Sequence, residues 1–393
     1  MVGGARRWCT DCSSRDVSDN KTSSFAIGQH GAAQLPGVDV EAYNAELRDA
    51  DGFIGDRASN RAFRAILEDL REGLRAQGED PLGDTASTEI SKKALDKILL
   101  EGTPDAAGVV HGAIEGFATE LATVAGRFLR LKAWRDVQRI VVGGGLRASR
   151  VGELAIGRAS VLLKGNGHAV DLLPIRHDPD EAGLIGTVHL APAWIFGSFD
   201  AVLGVDIGGS NIRVGIVQLA LKKAEDLSAC SVVASELWRH RDDKPKRDEA
   251  IDRLVAMLEG LVAKAEKDGI SLAPFIGIGC PGVIDADGAI EKGAQNLPGN
   301  WESSRFNLPE TLRAQLPKIG THATHVVVHN DAVVQGLSEL PFMQDIERWG
   351  VLTIGTGLGN ACFLNHEREP TKSEIKAEAK AAKAEAKAKN DAA

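Results

Sequence analysis

The sequence predicts an α/β fold that is divided between two domains. Helical and extended patterns alternate along most of its 393 residues, and one long amphipathic helix leads into an apolar strand that ends in glycines. Two further pairs of apolar strands are each joined by a glycine-rich turn. The length suits two domains of roughly 150 to 200 residues each.

The first of these features is a helix followed by a strand and a glycine turn. Apolar residues recur every three or four positions, as on the buried face of a helix, at Ile114, Phe117, Leu121, Val124, Phe128 and Leu131. The strand "RIVV" then runs into Gly143, Gly144 and Gly145, and a second helical pattern follows. Such a turn either closes around the phosphates of a dinucleotide or lies beside the adenosine of ATP.

Two strand pairs with similar turns lie far apart in the chain. The first is "AVLGVDIGGSNIRVGIV", which begins at Ala201, and the second is "GVLTIGTGLGNACFL". Each has the pattern of a hairpin, with an apolar strand, a glycine turn and another apolar strand. The repetition predicts an internally duplicated architecture.

The turns of both hairpins have a composition that suits phosphate binding. Asp206 ends the first strand, immediately before Gly208 and Gly209. Glycines let backbone amides approach a phosphate, and a carboxylate beside them can hold Mg²⁺ or its water shell. An ordinary glycine-rich hairpin is the alternative. The second turn offers the same device with a hydroxyl in place of the carboxylate, at Gly355, Thr356, Gly357 and Gly359.

A valine-rich strand between the hairpins, "VVVHND", ends at Asn330 and Asp331 and then enters a helix. A carboxylate at a strand end can accept a proton from a hydroxyl that attacks a phosphate. Either residue can instead cap the helix. The local sequence leaves both alternatives open.

A loop rich in Pro, Gly and Asn, "CPGVIDADGAIEKGAQNLPGNW", precedes that strand. Through Gly282 and Asn296 it could line a pocket for a polyol, or it could be a surface connection. We expect Cys280 at its start to be a packed residue rather than a nucleophile, because no histidine partner stands beside it.

Composition argues against several classes of function. The chain is 43% hydrophobic and 26% charged, as in soluble globular proteins. Its net charge of −9 argues against binding to nucleic acid or to an anionic membrane. No apolar run approaches the roughly 20 residues of a membrane span, and the amino-terminal arginines are not followed by the hydrophobic segment of a secretion signal. Five scattered cysteines favour a reducing cytoplasm.

Two groups of potential metal ligands have unsuitable spacing. Cys9 and Cys12 form a CxxC without a second pair, so we expect exposed thiols rather than a redox or zinc site. The histidines of "HATHVVVH" lack the spacing of a helical zinc site, and a strand would place them on both faces: His322, His325 and His329. We therefore predict no metal site at either place.

Taken together, these motifs resemble the ROK family of bacterial sugar kinases, within the actin-like, hexokinase-type ATPase superfamily. The segments that carry the resemblance stand in the family's order and approximate spacing: "LGVDIGGSNIRVGIV", "GIGCPGVIDADG", "NLPGNW", "HNDAVVQG" and "TIGTGLGNA". They cover most of the chain from Ala201 to about Phe363. The resemblance implies two RNase H-like domains around a cleft that binds ATP, Mg²⁺ and a sugar.

The resemblance also assigns roles to individual residues. By position, the first phosphate motif would comprise Asp206, Gly208, Gly209, Ser210, Asn211 and Arg213, with Asp206 toward Mg²⁺. The second would comprise Gly355, Thr356, Gly357 and Gly359. Asp331 would be the catalytic base. The sugar would lie near Asn330, Gly282, Asn296 and His30.

The family's adenosine motif and last helix stand at the wrong end of this chain. "RIVVGGGL" and "DPDEAGLIGTVHL" precede the first phosphate motif, and "APAWIFGSFD" joins the two parts. Because the family's two ends lie near one another, we interpret the chain as a circular permutant. Complementation of the two halves between subunits is the alternative, and a homodimer is compatible with either.

This interpretation fixes the expected domain limits. We expect a larger domain from residues 25–181 and 341–366, which holds Gly143, Gly144 and Gly145 beside the nucleoside. A smaller domain would span 182–340. A flexible lead (1–24) and a Lys/Ala/Glu-rich tail (367–393) would flank them.

Two departures from the family leave rival functions open. In place of a Glu-Ile-Gly-His segment this chain has "FAIGQHG", with Gln29 and His30 but no glutamate, and the family's zinc loop is missing. One rival is a non-catalytic sugar-binding regulator, although no helix-turn-helix precedes the motifs. The other is a dinucleotide-dependent oxidoreductase, in which Gly143, Gly145 and Ala148 would form the fingerprint, with Asp171 downstream.

Overall fold

A computed structural model describes residues 28–50 and 52–367, and the description below is limited to them. The CxxC at Cys9 and Cys12, the lead (1–24) and almost all of the predicted tail lie outside the described residues. No helix within the described ranges is long and apolar enough to cross a membrane.

The described chain is an α/β structure with two large mixed sheets, which confirms the predicted fold class. Its strands are, in chain order, β1 Gln34–Leu35, β2 Val38–Tyr43, β3 Arg48–Asp49, β4 Gly52–Phe53, β5 Arg139–Gly143, β6 Asp171–Pro174, β7 Ala201–Ile207, β8 Ile212–Gln218, β9 Ser231–Trp238, β10 Leu272–Cys280, β11 Val283–Ile284, β12 Ile290–Lys292, β13 Lys318–Ile319, β14 His322–Ala323, β15 His325–Asn330, β16 Arg348–Ile354 and β17 Leu358–Asn365. The larger sheet has the order β1-β2-β17-β16-β5-β6, and the second has the order β15-β10-β7-β8-β9.

The two sheets share one topology. In the second sheet, β7 and β8 form an antiparallel hairpin, β9 continues it, and β10 and β15 add parallel strands on the other side of β7. In the larger sheet, β16, β17, β2, β5 and β6 occupy the equivalent places with the same directions. The predicted duplication is thereby confirmed. The second sheet takes its strands in chain order, whereas the larger sheet begins with the last hairpin of the chain.

The end of β17 lies beside the start of β2. Asn365 pairs with Val38 in the antiparallel register. The backbone N–H of His366 donates to the carbonyl of Gly37 at 3.3 Å, and its imidazole bonds Asp39 at 2.8 Å. The last described residues of the chain thus meet some of the first.

Helices in the described ranges begin mostly at polar caps. They are α1 Asn60–Arg75, α2 Lys92–Glu101, α3 Pro104–Phe128, α4 Arg150–Gly165, α5 Pro179–Gly186, α6 His240–Asp243, α7 Arg247–Asp268, α8 Leu308–Gln315 and α9 Asp331–Leu337. The side chains of Ser59, Ser91, Thr103 and Ser149 each accept a hydrogen bond from a first-turn amide. These caps fix where α1 to α4 begin.

Three apolar cores hold the layers together. Helices α1 to α4 cover one face of the larger sheet, and α7 and α8 cover one face of the second sheet. A third core lies between the sheets and includes residues of α5, α9 and both sheets, among them Leu184, Val334 and Phe363. The third core brings the strand ends of the two sheets toward the same region.

The observed α3 is shorter at its carboxyl end than the apolar pattern predicts. It ends at Phe128, and Leu131 lies beyond it, before a 3-10 turn at Lys132–Trp134. Trp134 is fully buried, with its ring centroid 5.0 Å from that of Phe128. The chain therefore turns back onto the core before it enters β5.

Candidate active site

The turns of the two glycine hairpins face each other. Each turn follows the first strand of its hairpin, β7 in one case and β16 in the other. A backbone hydrogen bond closes each turn, from Gly208 to the Asn211 carbonyl at 2.8 Å and from Gly355 to the Gly357 carbonyl at 2.9 Å. The hydroxyl oxygens of Ser210 and Thr356 lie 3.3 Å apart. We call residues 208–211 and 355–357 the hairpin junction.

Asp206 lies just before the first turn, against helix α5. A Cβ atom on Gly183 of α5 would lie only 2.7 Å from Cγ of Asp206, so the close approach requires glycine there. Arg213 donates to Asp206 at 3.2 Å and also bonds Asp180. Burial raises the pKa of the Asp206 carboxyl, while Arg213 acts in the opposite direction.

Asp331 is the first residue of α9 and follows directly after β15. The side chain of Asn330 caps this helix by accepting from the amides of Ala332 and Val333 at 3.0 and 3.3 Å. The cap therefore belongs to Asn330, which leaves Asp331 as a carboxylate of the first turn. Burial raises the pKa of the Asp331 carboxyl to about 7, and the charge of Asp206 adds to this shift.

Asp331 is close to both sheets. Its Cα would lie 3.5 Å from a Cβ on Gly279, and Gly279 pairs with Asp206 in the neighbouring strand. Ala332 would be 3.1 Å from a Cβ on Gly359, at the start of β17. The structure therefore brings together Asp206, Asp331 and the hairpin junction.

The residues predicted to face a sugar occupy three places. Asn330 donates from Nδ2 to the carbonyl of Gly282 at 3.0 Å, which joins the loop after β10 to the start of α9. The Cβ of Asn296 would be 2.9 Å from a Cβ on Gly209 of the hairpin junction. His30 lies at the outer edge of β15, where its Nδ1 accepts from the Val328 amide at 3.2 Å.

The loop that contains Gly282 and Asn296 is more ordered than a simple surface connection. It forms the small hairpin β11–β12, and Leu297 and Trp301 are buried. The indole N–H of Trp301 donates to the Pro298 carbonyl at 2.8 Å.

The triple-glycine turn ends the strand that neighbours β16. Gly143 pairs with Thr353 in parallel register. Gly144 has φ +85°, and a Cβ there would lie 2.2 Å from the carbonyl oxygen of Ile354. Only glycine lets the turn pass so close to the end of β16, just before the second hairpin turn.

Lys92 is a charged residue at this site that no local sequence pattern identifies. Lys92, the first residue of α2, donates from Nζ to the carbonyl of Gly145. Burial lowers the pKa of its ammonium group, with Asp180 opposing and Arg64 adding to the shift. Lys92 stands about fifty positions before the glycine turn, so only the packing of α2 could reveal the contact.

Among the residues that the structure describes, two side-chain atoms at this site are buried without a hydrogen-bond partner. They are Nε of Arg213, which contacts Asp206, and Oε1 of Gln335, which lies one helical turn after Asp331. The Gln335 atom would be 2.3 Å from a Cβ on Gly143. Buried polar atoms without partners are costly, so a ligand that supplies partners would be favoured here.

The carboxylates suit a hard cation better than a transition metal. Asp206 and Asp331 offer oxygen ligands, which Mg²⁺ prefers together with phosphate oxygens and water. Their mutual repulsion would be relieved by a positive charge. Within residues 28–50 and 52–367, no group of three His, Cys, Asp or Glu side chains could hold a metal ion without other ligands. The residues present therefore fit Mg²⁺ held jointly with a nucleotide.

The rival readings of the motifs receive little support. Cys280 is fully buried, and burial raises the pKa of its thiol well above the usual range. His322 and His325 are exposed, whereas His329 is buried and bonds the Ala32 carbonyl at 3.0 Å.

The amides at the start of α4 also disfavour a dinucleotide site. In that fold a pyrophosphate binds to the first amides of the helix. Here the amides of Arg150 and Val151 already donate to the carboxylate of Asp96, at 3.0 and 2.9 Å. The anion-binding position is thus filled by a side chain of the protein.

Comparison with known proteins finds a family whose sequence model is similar to part of the chain. Residues 202–369 match the sequence model of the ROK family, which confirms the predicted resemblance for this part of the chain. No curated protein matches the chain.

Among solved structures, a ROK family glucokinase from Streptomyces griseus, in complex with glucose and AMPPNP, is 23% identical with a TM-score of 0.32, over 44% of this chain and 47% of the other. A ROK hexokinase from Thermus thermophilus is 20% identical with a TM-score of 0.28, over 44% of this chain and 51% of the other. The chain thus spans about half the length of these relatives.

Proposed function

We propose that the protein is an ATP-dependent phosphotransferase that acts on a sugar hydroxyl. The observation that carries this proposal is the meeting of two equivalent glycine hairpins, with Ser210 and Thr356 3.3 Å apart. Two glycine-rich turns, half-buried and placed face to face, suit a polyphosphate chain between them. The match of residues 202–369 to the ROK family supports the same assignment.

The nucleotide would lie along the ends of β5 and β16. The amides of the hairpin junction would bind its phosphates, and Gly143, Gly144 and Gly145 would let the backbone pass close to the nucleoside. Arg213 and Lys92 would supply positive charge beside the phosphates. Asp206 would hold Mg²⁺ through its carboxylate, and the ion when bound neutralises charge on the phosphate oxygens.

Asp331 would act as the general base. Asp331 is half-buried at a strand end between the two sheets, where a sugar hydroxyl could approach the terminal phosphate. It would orient the hydroxyl and accept its proton as the oxygen attacks phosphorus. Because the transition state is loose, most of the rate enhancement would come from positioning and charge neutralisation.

The sugar would be bound by Asn330, Gly282, Asn296 and His30. The Nδ2 group of Asn330 has a second hydrogen beyond the one given to Gly282, and this hydrogen could reach a sugar hydroxyl. Gln29 stands where the family has a glutamate, so the identity of the sugar is left to experiment.

We also propose that the chain is a circular permutant of the family's order. The contacts of His366 with Gly37 and Asp39 support this, because a β17–β2 connection would be a short hairpin in the unrotated order. The expected domain limits, a homodimer and a cytoplasmic location remain predictions.

A coupled assay over glucose, fructose, mannose and N-acetylated hexosamines would test the activity. The wild-type protein should consume ATP only when the right sugar is present, and Asp331→Ala should lose that activity. Sugar binding without turnover would instead support the regulator. Full activity of Asp331→Ala would exclude the proposed base.

A further inference from the structure

A cavity of about 360 Å³ opens on the larger-sheet side of the molecule, outside the hairpin junction. The carboxyl-terminal part of α3, the loop after α4 and the 3-10 turn before α1 form its walls. None of the candidate active-site residues contributes to it. Its lining residues are Arg57, Ala122, Thr123, Gly126, Arg127, Arg130, Asn166 and His168.

The lining is strongly basic in a protein whose net charge is −9. Among the described residues, it contains three arginines and a histidine but no carboxylate. Arg57 bonds Asp49 at 2.8 Å, outside the lining. Arg127 and Arg130 form no ion pair with any described acidic residue. Among the described residues, Arg127 and Arg130 are therefore the two arginines of the lining whose charge no acidic side chain balances.

The helix dipole accounts for only part of this arrangement. Basic residues near the carboxyl end of a helix are favoured by its dipole, and Arg127 lies in the last turn of α3. Arg57 and His168 come from other elements, however. The helix dipole therefore does not explain why Arg57 and His168 line the same cavity as Arg127 and Arg130.

We propose that this cavity is a binding site for a small phosphate-bearing anion. Planar guanidinium groups match the oxygens of a phosphate group, and Thr123, Asn166 and His168 add neutral hydrogen-bonding groups. A small anion fits better than a nucleic acid, because the cavity is small and the chain as a whole is acidic, with a net charge of −9.

The cavity is also connected to the hairpin junction. Arg57 lies three residues before Asn60, the first residue of α1. The Asn60 amide donates to the carbonyl of Gly355 at 3.2 Å. An anion that contacts Arg57 in the cavity would therefore act on the second hairpin turn through a very short segment of chain.

Isothermal titration calorimetry with inorganic phosphate, pyrophosphate and a hexose 6-phosphate would test the site, against chloride at equal ionic strength. The wild-type protein should bind at least one of these probes. The double variant Arg127→Gln/Arg130→Gln should lose about tenfold or more in affinity. Thr123→Glu, which places a carboxylate in the cavity and keeps the arginines, should have the same effect.

Lys132→Gln/Arg135→Gln is the matched control, because it removes the same charge from exposed residues just outside the cavity. It should bind like wild type. Equal affinity of the cavity variants and the control would place any bound anion elsewhere, including the hairpin junction. No binding of any probe to the wild-type protein, or tighter binding of an oligonucleotide, would also overturn the proposal.

Hydrogen exchange of residues 355–357 tests the connection without any activity assay. Saturation with the probe that binds best should change the exchange rate in wild type and not in Thr123→Glu. The same rate with and without the probe would refute the connection between the cavity and the hairpin.

Discussion

Lys92 makes contacts that its local sequence does not predict. Its ammonium group is half-buried and bonds the carbonyl of Gly145, near the side chains of Asp180 and Arg213. The neighbouring Lys93 is exposed. The pair therefore offers two lysines of equal charge, of which one lies at the proposed nucleotide site.

Lys92→Met should raise KM for ATP by about tenfold, because a charge-assisted contact to the phosphates is lost. Lys93→Met should leave KM unchanged. The measurement is initial rate against ATP concentration at saturating sugar. Equal KM values for the two variants would mean that Lys92 does not face the nucleotide.

A second prediction concerns Asp80 and the pH dependence of stability. Burial alone would raise the pKa of Asp80, but hydrogen bonds from Arg71 and Arg75 outweigh it and bring the pKa to about 2. Since the folded pKa lies below the unfolded one, Asp80 stabilises the protein above about pH 4, and this contribution is lost as the pH falls toward 2.

Asp80→Asn should therefore lower the free energy of unfolding at pH 7 by about 1–3 kcal/mol, and by less at pH 3. Urea titrations at a series of pH values would measure this. Asp84→Asn, at an exposed position in the same loop, is the control and should have little effect. A loss that is the same at every pH would show that the Asp80 charge is not responsible.

At the scale of elements, helix α5 packs directly against the side chain of Asp206. Gly183→Ala would place a methyl group 2.7 Å from the Asp206 carboxyl carbon. We expect a loss of about 1–3 kcal/mol in stability and a clear loss of phosphotransfer, because Asp206 must shift. Thermal unfolding and a kinase assay would measure the two effects.

Gly157→Ala is the helix-glycine control for this prediction. Gly157 lies in the exposed part of α4, and a Cβ there would meet nothing within 4 Å. The change should stabilise the protein by about 0.5–1 kcal/mol and leave activity intact. Equal stability and activity of the two variants would show that the close contact of Gly183 with Asp206 affects neither property.

The elements that the sequence could predict are those defined by neighbouring residues. Both glycine hairpins, the strand before Gly143 and the strand end at Asp331 follow from local patterns, and each is present. The contacts of Lys92 with Gly145, of Asp180 with Arg213 and of Asp96 with the start of α4 depend on how distant helices pack. No local pattern encodes such contacts.

Asn330 shows what could not be predicted within a single motif. A strand that ends in Asn-Asp and continues as a helix is compatible with a cap and with a catalytic role for either residue. The hydrogen bonds to Ala332 and Val333 assign the cap to Asn330. Only coordinates could make this distinction, because both residues are good caps.

At the scale of the whole molecule, the larger sheet takes strands from both ends of the chain. The proposal of a rotated order comes from the sequence, in which each motif resembles a family segment while the order of the motifs differs. The pairing of β17 with β2 was not readable, since a local pattern does not specify which distant strand a strand pairs with. The pairing explains how the two ends of the chain complete one sheet.

The proposed circular permutation leads to a direct prediction about chain order. A protein in which Ala393 is fused to Met1 and the chain is opened between Gly197 and Ser198 keeps every residue and restores the family's order. We expect it to fold with a Tm within about 5 °C of the original, because only loop connections change. An insoluble or non-cooperative product, with a wild-type chain that folds normally, would contradict the permutant interpretation.

The central claim is phosphoryl transfer from ATP to a sugar with Asp331 as the base, and ³¹P NMR of the reaction mixture tests it most directly. With Mg²⁺, ATP and the accepted hexose, the wild-type protein should produce ADP and a new phosphomonoester signal. Asp331→Asn should still bind ATP but form this signal at least about 10²-fold more slowly. Release of inorganic phosphate alone, or an equal rate for Asp331→Asn, would contradict the claim.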